Sequence, residues 1–569
     1  MGVFDTVLVR KPKKSRFNLN HSVLLTCNAG YEVPFLCQEA IPGDEFKISS
    51  EVLVKAAPLI APLMHQVNLK VEFWYVPNRL VFPKWENYIN PKDENDEALK
   101  LPQIYHIPRH LNKPGCLCDY LGLPTPRSDG ENLALNPATD YGINALPFLA
   151  YQMIWNEFYR DPNMQEPIKL PADINPFYDG DVSRVYEDLN HYYPLLEMRK
   201  RCWEKDYFTT AQPDVQRGDD VMLNMSGNAT FNVENFPQAS GPNTYHIQNP
   251  QGGTEIPISP QVLGGNGRIV PYVDGSGKTV GFQVQDSNGN NVGGVQSYQQ
   301  AVSQLQQLSG HLDMESGISI NDLRELNVLQ KYKERLQLAG TRYIDWLKAF
   351  FGVYSSDARL QRPQFLGGGR VPLTIGETLQ TSQTTDTSPQ GTRTGNFYAL
   401  SSTPSAKYKV EENGYIIGVL CVIPRTSYYQ GIPRHFTKFD RYDFAIPMFA
   451  NLGEQPVRRT ELFIQNASQM STLLNFNIKG GLFGYQQRYA EYKSIPSSIH
   501  GIFRTSLDSW HWARKFENMP VLGKDFLSCD PDYRPFAIED ENLDEHFYIE
   551  LYNHVTAVRP LPKIAIPQL

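Results

Sequence analysis

Three segments of this chain follow patterns that β-strands satisfy best, and they lie hundreds of residues apart. In "HQVNLKVEFWYVP" the positions Val67, Leu69, Val71 and Phe73 are apolar, while Asn68, Lys70 and Glu72 are polar. That is period two, and it predicts a strand with one wet face. From Trp74 both faces turn apolar, and Pro77 ends the run. "YIIGVLCVIP" (415–424) is apolar throughout and predicts a strand buried between two layers. "YIELYNHVTAVRP" alternates again through Ile549, Leu551, Val555 and Ala557. A single β-sandwich must collect these strands across long insertions. At 569 residues the chain has the length to do so.

Helices are expected between the strands. In "SINDLRELNVLQKYKERLQLAG", Leu323, Leu326, Leu329, Tyr332 and Leu336 fall three or four apart, with Ser319 and Asp322 as a start and Gly340 as a stop. "TRYIDWLKAFFG" places Ile344, Leu347, Phe350 and Phe351 on one face and ends at Gly352. A third helix is expected in "LPFLAYQMIWNEFYRDPN", closed by Pro162.

Residues 213–312 differ from the rest. They hold 15 Gly, 10 Asn and 13 Gln but only 10 charged residues. This composition marks a polar insertion outside the main core, with hairpin chemistry around Asn288-Gly289, or else a disordered linker. Strand fragments such as "GRIVPYV" speak against complete disorder.

Catalytic patterns fail on inspection. "DGSGKT" (274–279) resembles the end of a phosphate-binding loop. The position that should hold the first glycine is Tyr272, and "VGFQVQ" follows with a strand's alternation instead of a helix. His106, His110, Cys116 and Cys118 could ligate zinc, but Pro108 spoils a helical histidine face and Cys-x-Cys is not the usual spacing. No metal, cofactor or catalytic residue is expected, and the chain is not expected to be an enzyme. Seven scattered cysteines (Cys27, Cys37, Cys116, Cys118, Cys202, Cys421, Cys529) fit free thiols in a reducing compartment. No apolar run is long enough to insert in a membrane, and the start lacks the order of a secretory signal. Gly2 and Thr6 match a myristoylation pattern, ahead of basic residues.

The formal net charge is −8. Residues 1–20 carry Arg10, Lys11, Lys13, Lys14 and Arg16 against Asp5, so +4, leaving −12 on the remainder. A cationic arm on an anionic body places contact with a polyanion, if any, at the arm, whose bland alternative is a solvated, disordered terminus. One further stretch stands out, "GIPRHFTKFDRYDFAIPMFANLGEQPV", in which Arg434, Phe436, Lys438, Phe439, Asp440, Arg441, Tyr442, Asp443 and Phe444 put a charge or a ring at almost every position. The cations could neutralise phosphates while the rings stack bases. The interleaved acids oppose counterion release, so a contact between protein subunits is the better reading, with ordinary packing inside the chain as the alternative.

Several long blocks together resemble one family. They include "PGDEFKISSEVLVKAAPLIAPLMHQVNLKVEFWYVPNRLVF", "MIWNEFYRDPN", "DYFTTAQP", "INDLRELNVLQKYKERLQLAGTRYIDWLKAFFGVYSSDARLQRPQFLGGG", the ring-rich stretch just quoted and "FGYQQRYAEYKSIPSSIHGIFR". In that order they are similar to the major capsid protein of microviruses, closest to the gokushovirus branch. The resemblance implies a mainly β fold: a single eight-stranded antiparallel jelly roll with long insertions containing several α-helices. It implies sixty copies in a T=1 icosahedral shell around a circular single-stranded DNA genome, hence a virion protein that assembles in the host cytoplasm. Residues 1–20 are then a basic arm facing the genome. Residues 21–212 and 313–569 are the two parts of the jelly roll, and 213–312 form a surface protrusion for host attachment. Implied partners are an internal scaffolding protein, a DNA pilot protein, a small basic DNA-binding protein and a host-surface receptor. A bacterial host leaves the myristoylation pattern unused. The rival reading is a single-stranded nucleic-acid-binding protein that forms no shell.

Overall fold

The structure, a computed structural model, describes residues 12–92, 99–125, 133–134, 142–175, 182–185, 192–218, 230–233, 246–249, 253–257, 267–273, 279–286, 310–313, 320–379, 393–464, 481–538 and 545–564. The chain divides into two compact units, one of Met1–Asp219 with Tyr332–Leu569 and one of Asp220–Lys331.

The larger unit is built on two antiparallel sheets. One gathers β1 (Ser15–Asn18), β2 (His21–Cys27), β4 (Glu45–Ala56), β7 (Thr374–Leu379), β8 (Arg393–Ser402), β9 (Ala406–Lys409) and β13 (Phe547–Arg559). Its order is β1-β13-β4-β8-β7, with β2 also on β13 and β9 also on β4. The other has the order β6-β5-β10-β3, from β3 (Val33–Ala40), β5 (Val67–Pro77), β6 (Gln364–Pro372) and β10 (Gly414–Pro424), and β11 (Glu454–Arg458) pairs separately with β12 (Leu482–Gln487). The fold is thus mainly β, and strands from both ends of the sequence meet in it. Tyr552 of β13, for example, lies opposite Ser22 on one side and Glu51 on the other.

The main core lies between the sheets. Val52, Val54, Ile549 and Leu551 of the first sheet pack with Val67, Leu69, Val71, Phe73, Ile416 and Leu420 of the second. Behind the second sheet lies another core, where Trp74, Val76, Ile417 and Val419 meet Phe148, Leu149, Tyr151 and Ile154 of α1 (Leu146–Ile154). Strand β10 therefore sits between two apolar layers, and all its residues are buried, as its unbroken apolar run requires. Strand β13 has one covered face, and its inward residues alternate with exposed or half-exposed ones.

Strand β5 departs from the expectation of a wet face. Asn68 is only 1% exposed, and Lys70 and Glu72 are half-buried. The segment 199–205 lies over them: Arg201 reaches Glu72 at 3.2 Å, and Glu204 meets Lys70 at 3.0 Å. Tyr159, at the end of the α1 region, donates its hydroxyl to Glu72 at 2.6 Å and accepts the Trp74 indole N–H at 2.7 Å. Lys70 and Glu72 thus face a polar cover instead of water, while both polar atoms of the Asn68 side chain are buried without a hydrogen-bond partner.

Helix α1 runs directly into a π-helical turn, Trp155–Tyr159, before the chain turns extended at Arg160. α2 (Ile320–Ala339) stops before Gly340 (φ 103°), and α3 (Tyr343–Phe351) ends at Gly352 in the left-handed region (φ 67°). The apolar stripe read on α2 is not buried: Leu323, Leu329 and Tyr332 are exposed, and Leu326 and Leu336 half-buried.

Among the described residues, the smaller unit contains three antiparallel strand pairs: Thr230–Val233 with Gly310–Asp313, His246–Asn249 with Gly253–Pro257, and Gly267–Val273 with Thr279–Asp286. "VGFQVQ" thus pairs with the strand before it. Asn288-Gly289 and most of "DGSGKT" lie outside the described residues.

Candidate assembly surface

The ring-rich stretch leaves the core just after β10. Tyr428 anchors it, with its ring on Phe208 at 4.8 Å and its hydroxyl donating to Asp206 at 2.7 Å. Gly431 then crosses the main chain of Glu461 so closely that a Cβ would stand 2.0 Å from that carbonyl oxygen. The Ile432 amide donates to the Thr460 carbonyl at 2.9 Å. Beyond this crossing the chain makes three single 3-10 turns, Arg434–Thr437, Arg441–Asp443 and Pro447–Asn451.

Most of the charged groups in the stretch turn inward. Arg434 donates to the Pro456 carbonyl at 2.7 Å and pairs with Glu461 at 3.3 Å and Glu491 at 3.7 Å. The Lys438 side chain is only 6% exposed; it meets Glu491 at 3.4 Å and donates to the Tyr492 hydroxyl at 2.7 Å. Asp443 accepts the amides of Phe439 and Asp440, each at 2.9 Å, and these main-chain bonds hold its carboxyl below the usual range despite some burial. Burial raises Glu461, and Arg434 only partly offsets it. Burial also works against Glu491, but the Gln455 amide, Arg434 and Lys438 together hold it low. Asp440 and Arg441 stay exposed, with Arg441 lying 4.7 Å over the Tyr442 ring.

The rings turn outward. Phe436, Phe439, Tyr442 and Phe444 are all exposed, Phe439 at 75%. Met448, Leu452, Tyr492 and Ile495 are exposed as well, and the sequence reading had not singled them out. Met448 and Leu452 continue the same stretch. Tyr492 joins through its hydroxyl, which binds Lys438 and the Ala445 amide. A second ring-bearing surface lies on α3, where no residue is fully buried and Tyr343 and Phe351 are exposed, as is Tyr354 just beyond its end. Single exposed apolar residues are ordinary; a run of them on a braced loop is a candidate contact surface.

Of the basic arm, Arg10 and Lys11 lie outside the described residues. Lys13 is exposed, Lys14 pairs with Glu45 at 2.8 Å, and Arg16 is an exposed residue of β1. The residues weighed as zinc ligands occupy separate settings: the His110 ring packs on Tyr193, Cys118 is buried, and Cys116 donates to the His110 carbonyl at 3.6 Å. Among the described residues no group of three or more potential metal ligands converges, and no helix is long and apolar enough to cross a membrane.

A family profile described as "Capsid protein (F protein)" matches residues 6–569. Capsid protein VP1 of Chlamydia phage 1 is 30% identical over 608 aligned residues, covering 100% of this chain and 97% of that protein. Capsid protein VP1 of Bdellovibrio phage phiMH2K is 30% identical over 574 residues, covering 97% and 95%. Capsid protein VP1 of Spiroplasma virus 4 is 28% identical over 577 residues, covering 98% and 95%.

Proposed function

Because the chain belongs to the phage capsid protein (F protein) family, and is on that ground a structural, non-enzymatic virion subunit of a multimeric shell, we propose that Arg434–Phe444 is a surface through which copies meet. The observation that carries this reading is the division of the stretch: its paired charges brace the loop inside the chain and its rings face out. A desolvated ring cluster within a polar frame is what a subunit contact needs. Met448, Leu452 and Tyr492 extend the same surface. Nucleic-acid binding by this stretch has less support, since Arg434 and Lys438 are already matched by Glu461 and Glu491.

The finer architecture follows the same reading. Strands β2, β3, β4, β5, β6, β8, β10 and β13 make an eight-stranded jelly roll; the orders β2-β13-β4-β8 and β3-β10-β5-β6 support it, since each sheet interleaves strands from distant parts of the chain. Sixty copies close a T=1 shell around circular single-stranded DNA. Residues 213–312 form the protrusion that meets the host receptor, and shortening them is expected to spare assembly while altering attachment. Arg10, Lys11, Lys13, Lys14 and Arg16 face the genome, with the scaffolding, pilot and small basic proteins as partners.

Solution sizing tests the central claim. Under conditions where the parent chain assembles, Phe436→Ser with Phe439→Ser is expected to leave it as a subunit or small intermediate; assembly at the parent level removes this surface from the shell's contacts. Salt-dependent affinity for single-stranded DNA tests the arm. Weak binding that disappears on deleting residues 1–20 fits a shell subunit, while tight binding that survives the deletion favours the shell-free DNA-binding protein.

A further inference from the structure

A cavity of about 420 Å³ opens beside the extended chain that follows the π-helical turn, walled by Phe158–Pro162, by Arg201–Lys205 and by Arg342. Its volume falls in the range of small-molecule sites. Three of its basic groups already have acidic partners. Arg201 reaches Glu32 and Glu72 at 3.2 Å each, Lys70 meets Glu204 at 3.0 Å, and Lys205 meets Asp161 at 2.5 Å. Both acids of the lining, Asp161 and Glu204, are therefore engaged.

Arg160 and Arg342 have no such match: among the described residues neither has a carboxylate oxygen within 4.0 Å. Their hydrogen-bond partners are main-chain carbonyls. Arg342 donates to Asn156 at 3.1 Å and to Arg160 at 3.0 Å, and Arg160 donates to Asn156 at 3.3 Å and to Gln165. Nε of Arg342 is buried with no acceptor at all. Burial holds both guanidiniums below the ordinary arginine range; Arg342 adds repulsion at Arg160 and Arg362 at Arg342, and the acids nearby, Glu157 and Asp161 with Asp345 at Arg342, offset this only in part. Two half-buried cations held side by side at the wall of a cavity are stabilised by an oxyanion.

We infer that this cavity is a binding site for a phosphate group, held between the guanidiniums of Arg160 and Arg342. A phosphate fits better than a carboxylate because its several oxygens can answer two planar forks at once. Inorganic phosphate, a nucleotide and a nucleic-acid strand all carry this chemistry. The site does not depend on the assembly surface, which involves none of these residues.

The test is a calorimetric titration of the full soluble chain with inorganic phosphate, against chloride at equal ionic strength, followed by thymidine monophosphate and a short oligodeoxythymidylate. Saturable phosphate binding is expected, weakened about tenfold or more by Arg342→Gln and by Arg160→Gln. Arg342→Lys keeps the charge and should retain part of the affinity, which separates loss of the site from loss of the fold. Lys407→Gln, at an exposed position of β9, should bind as the parent does. If the oligonucleotide competes with phosphate and both Gln variants weaken it, the occupant is a strand; if only the small anions bind, it is a free phosphate species. Phosphate heat no larger than that of chloride, or equal affinity in the parent and both Gln variants, overturns the proposal.

Discussion

Strand β10 and the loop at 434–452 are both rich in large apolar side chains and lie close together in sequence, yet every residue of the strand is buried while Phe436, Phe439, Phe444 and Met448 stand in solvent. The difference lies in the charges. β10 has none, so nothing opposes placing it between two apolar layers. The loop has Arg434, Lys438 and Asp443, which find acids and main-chain amides beside the loop. Holding those groups inward forces the neighbouring rings outward. One apolar run closes the subunit's own core, and the other stands in solvent, where the proposed contact with a neighbour would cover it.

The strongest challenge to this contrast is in the strand. Leu420→Ala removes a fully buried side chain and is expected to cost about 2–5 kcal/mol in denaturant unfolding. A loss near zero would mean that β10 is not part of the core. Next comes the loop's bracing. Arg434→Ala leaves the buried Glu461 without its cation and is expected to cost about 3 kcal/mol, again by denaturant unfolding. A negligible change would show that the inward charges do not brace the loop.

Acidification is expected to act on the core and spare the loop's rings. Burial holds His65 down to about 4 and His546 down to about 3. Nδ1 of His546 accepts the Ala29 amide at 3.1 Å, which requires an unprotonated nitrogen. Both folded values lie below the unfolded one, so the unfolded state binds more protons. Their contribution is complete above about pH 6.5 and falls as pH drops towards 4, at up to about 1.4 kcal/mol per pH unit for each histidine. Thermal unfolding across that window should show the decline, and His546→Gln should flatten it.

The smallest effect on the fold is the most informative. Phe436→Ser with Phe439→Ser should change unfolding free energy by no more than about 0.5 kcal/mol per site, since these rings are exposed, even where assembly is lost. A large loss of stability would place the rings in the subunit's own packing.

Much of this arrangement is legible in the sequence, and the parts that are not share one cause. Period-two alternation marks β13, and an unbroken apolar run marks β10, because each pattern reports layers that cover the whole strand. The α3 terminator Gly352 is equally local. Lys70 and Glu72 mislead because their cover comes from residues 199–205 and from Tyr159, which no pattern within the strand announces. The stripe on α2 was visible, but periodicity cannot say that its leucines remain exposed. At the assembly surface the composition is plain to read. Which charges turn inward is not, since Glu461 and Glu491 come from outside the stretch and only the Gly431 crossing and the turn before Tyr492 bring them near.

Strand β13, near the end of the chain, fills the middle of the seven-stranded sheet, between β2 and β4 from near its beginning. While a ribosome is still making this protein, that sheet has a vacant central slot and two raw edges. Closing it over such sequence distances is slow, and raw edges invite pairing with other nascent chains. A messenger cut short before residue 547 would therefore yield no smaller working subunit, only a sticky fragment.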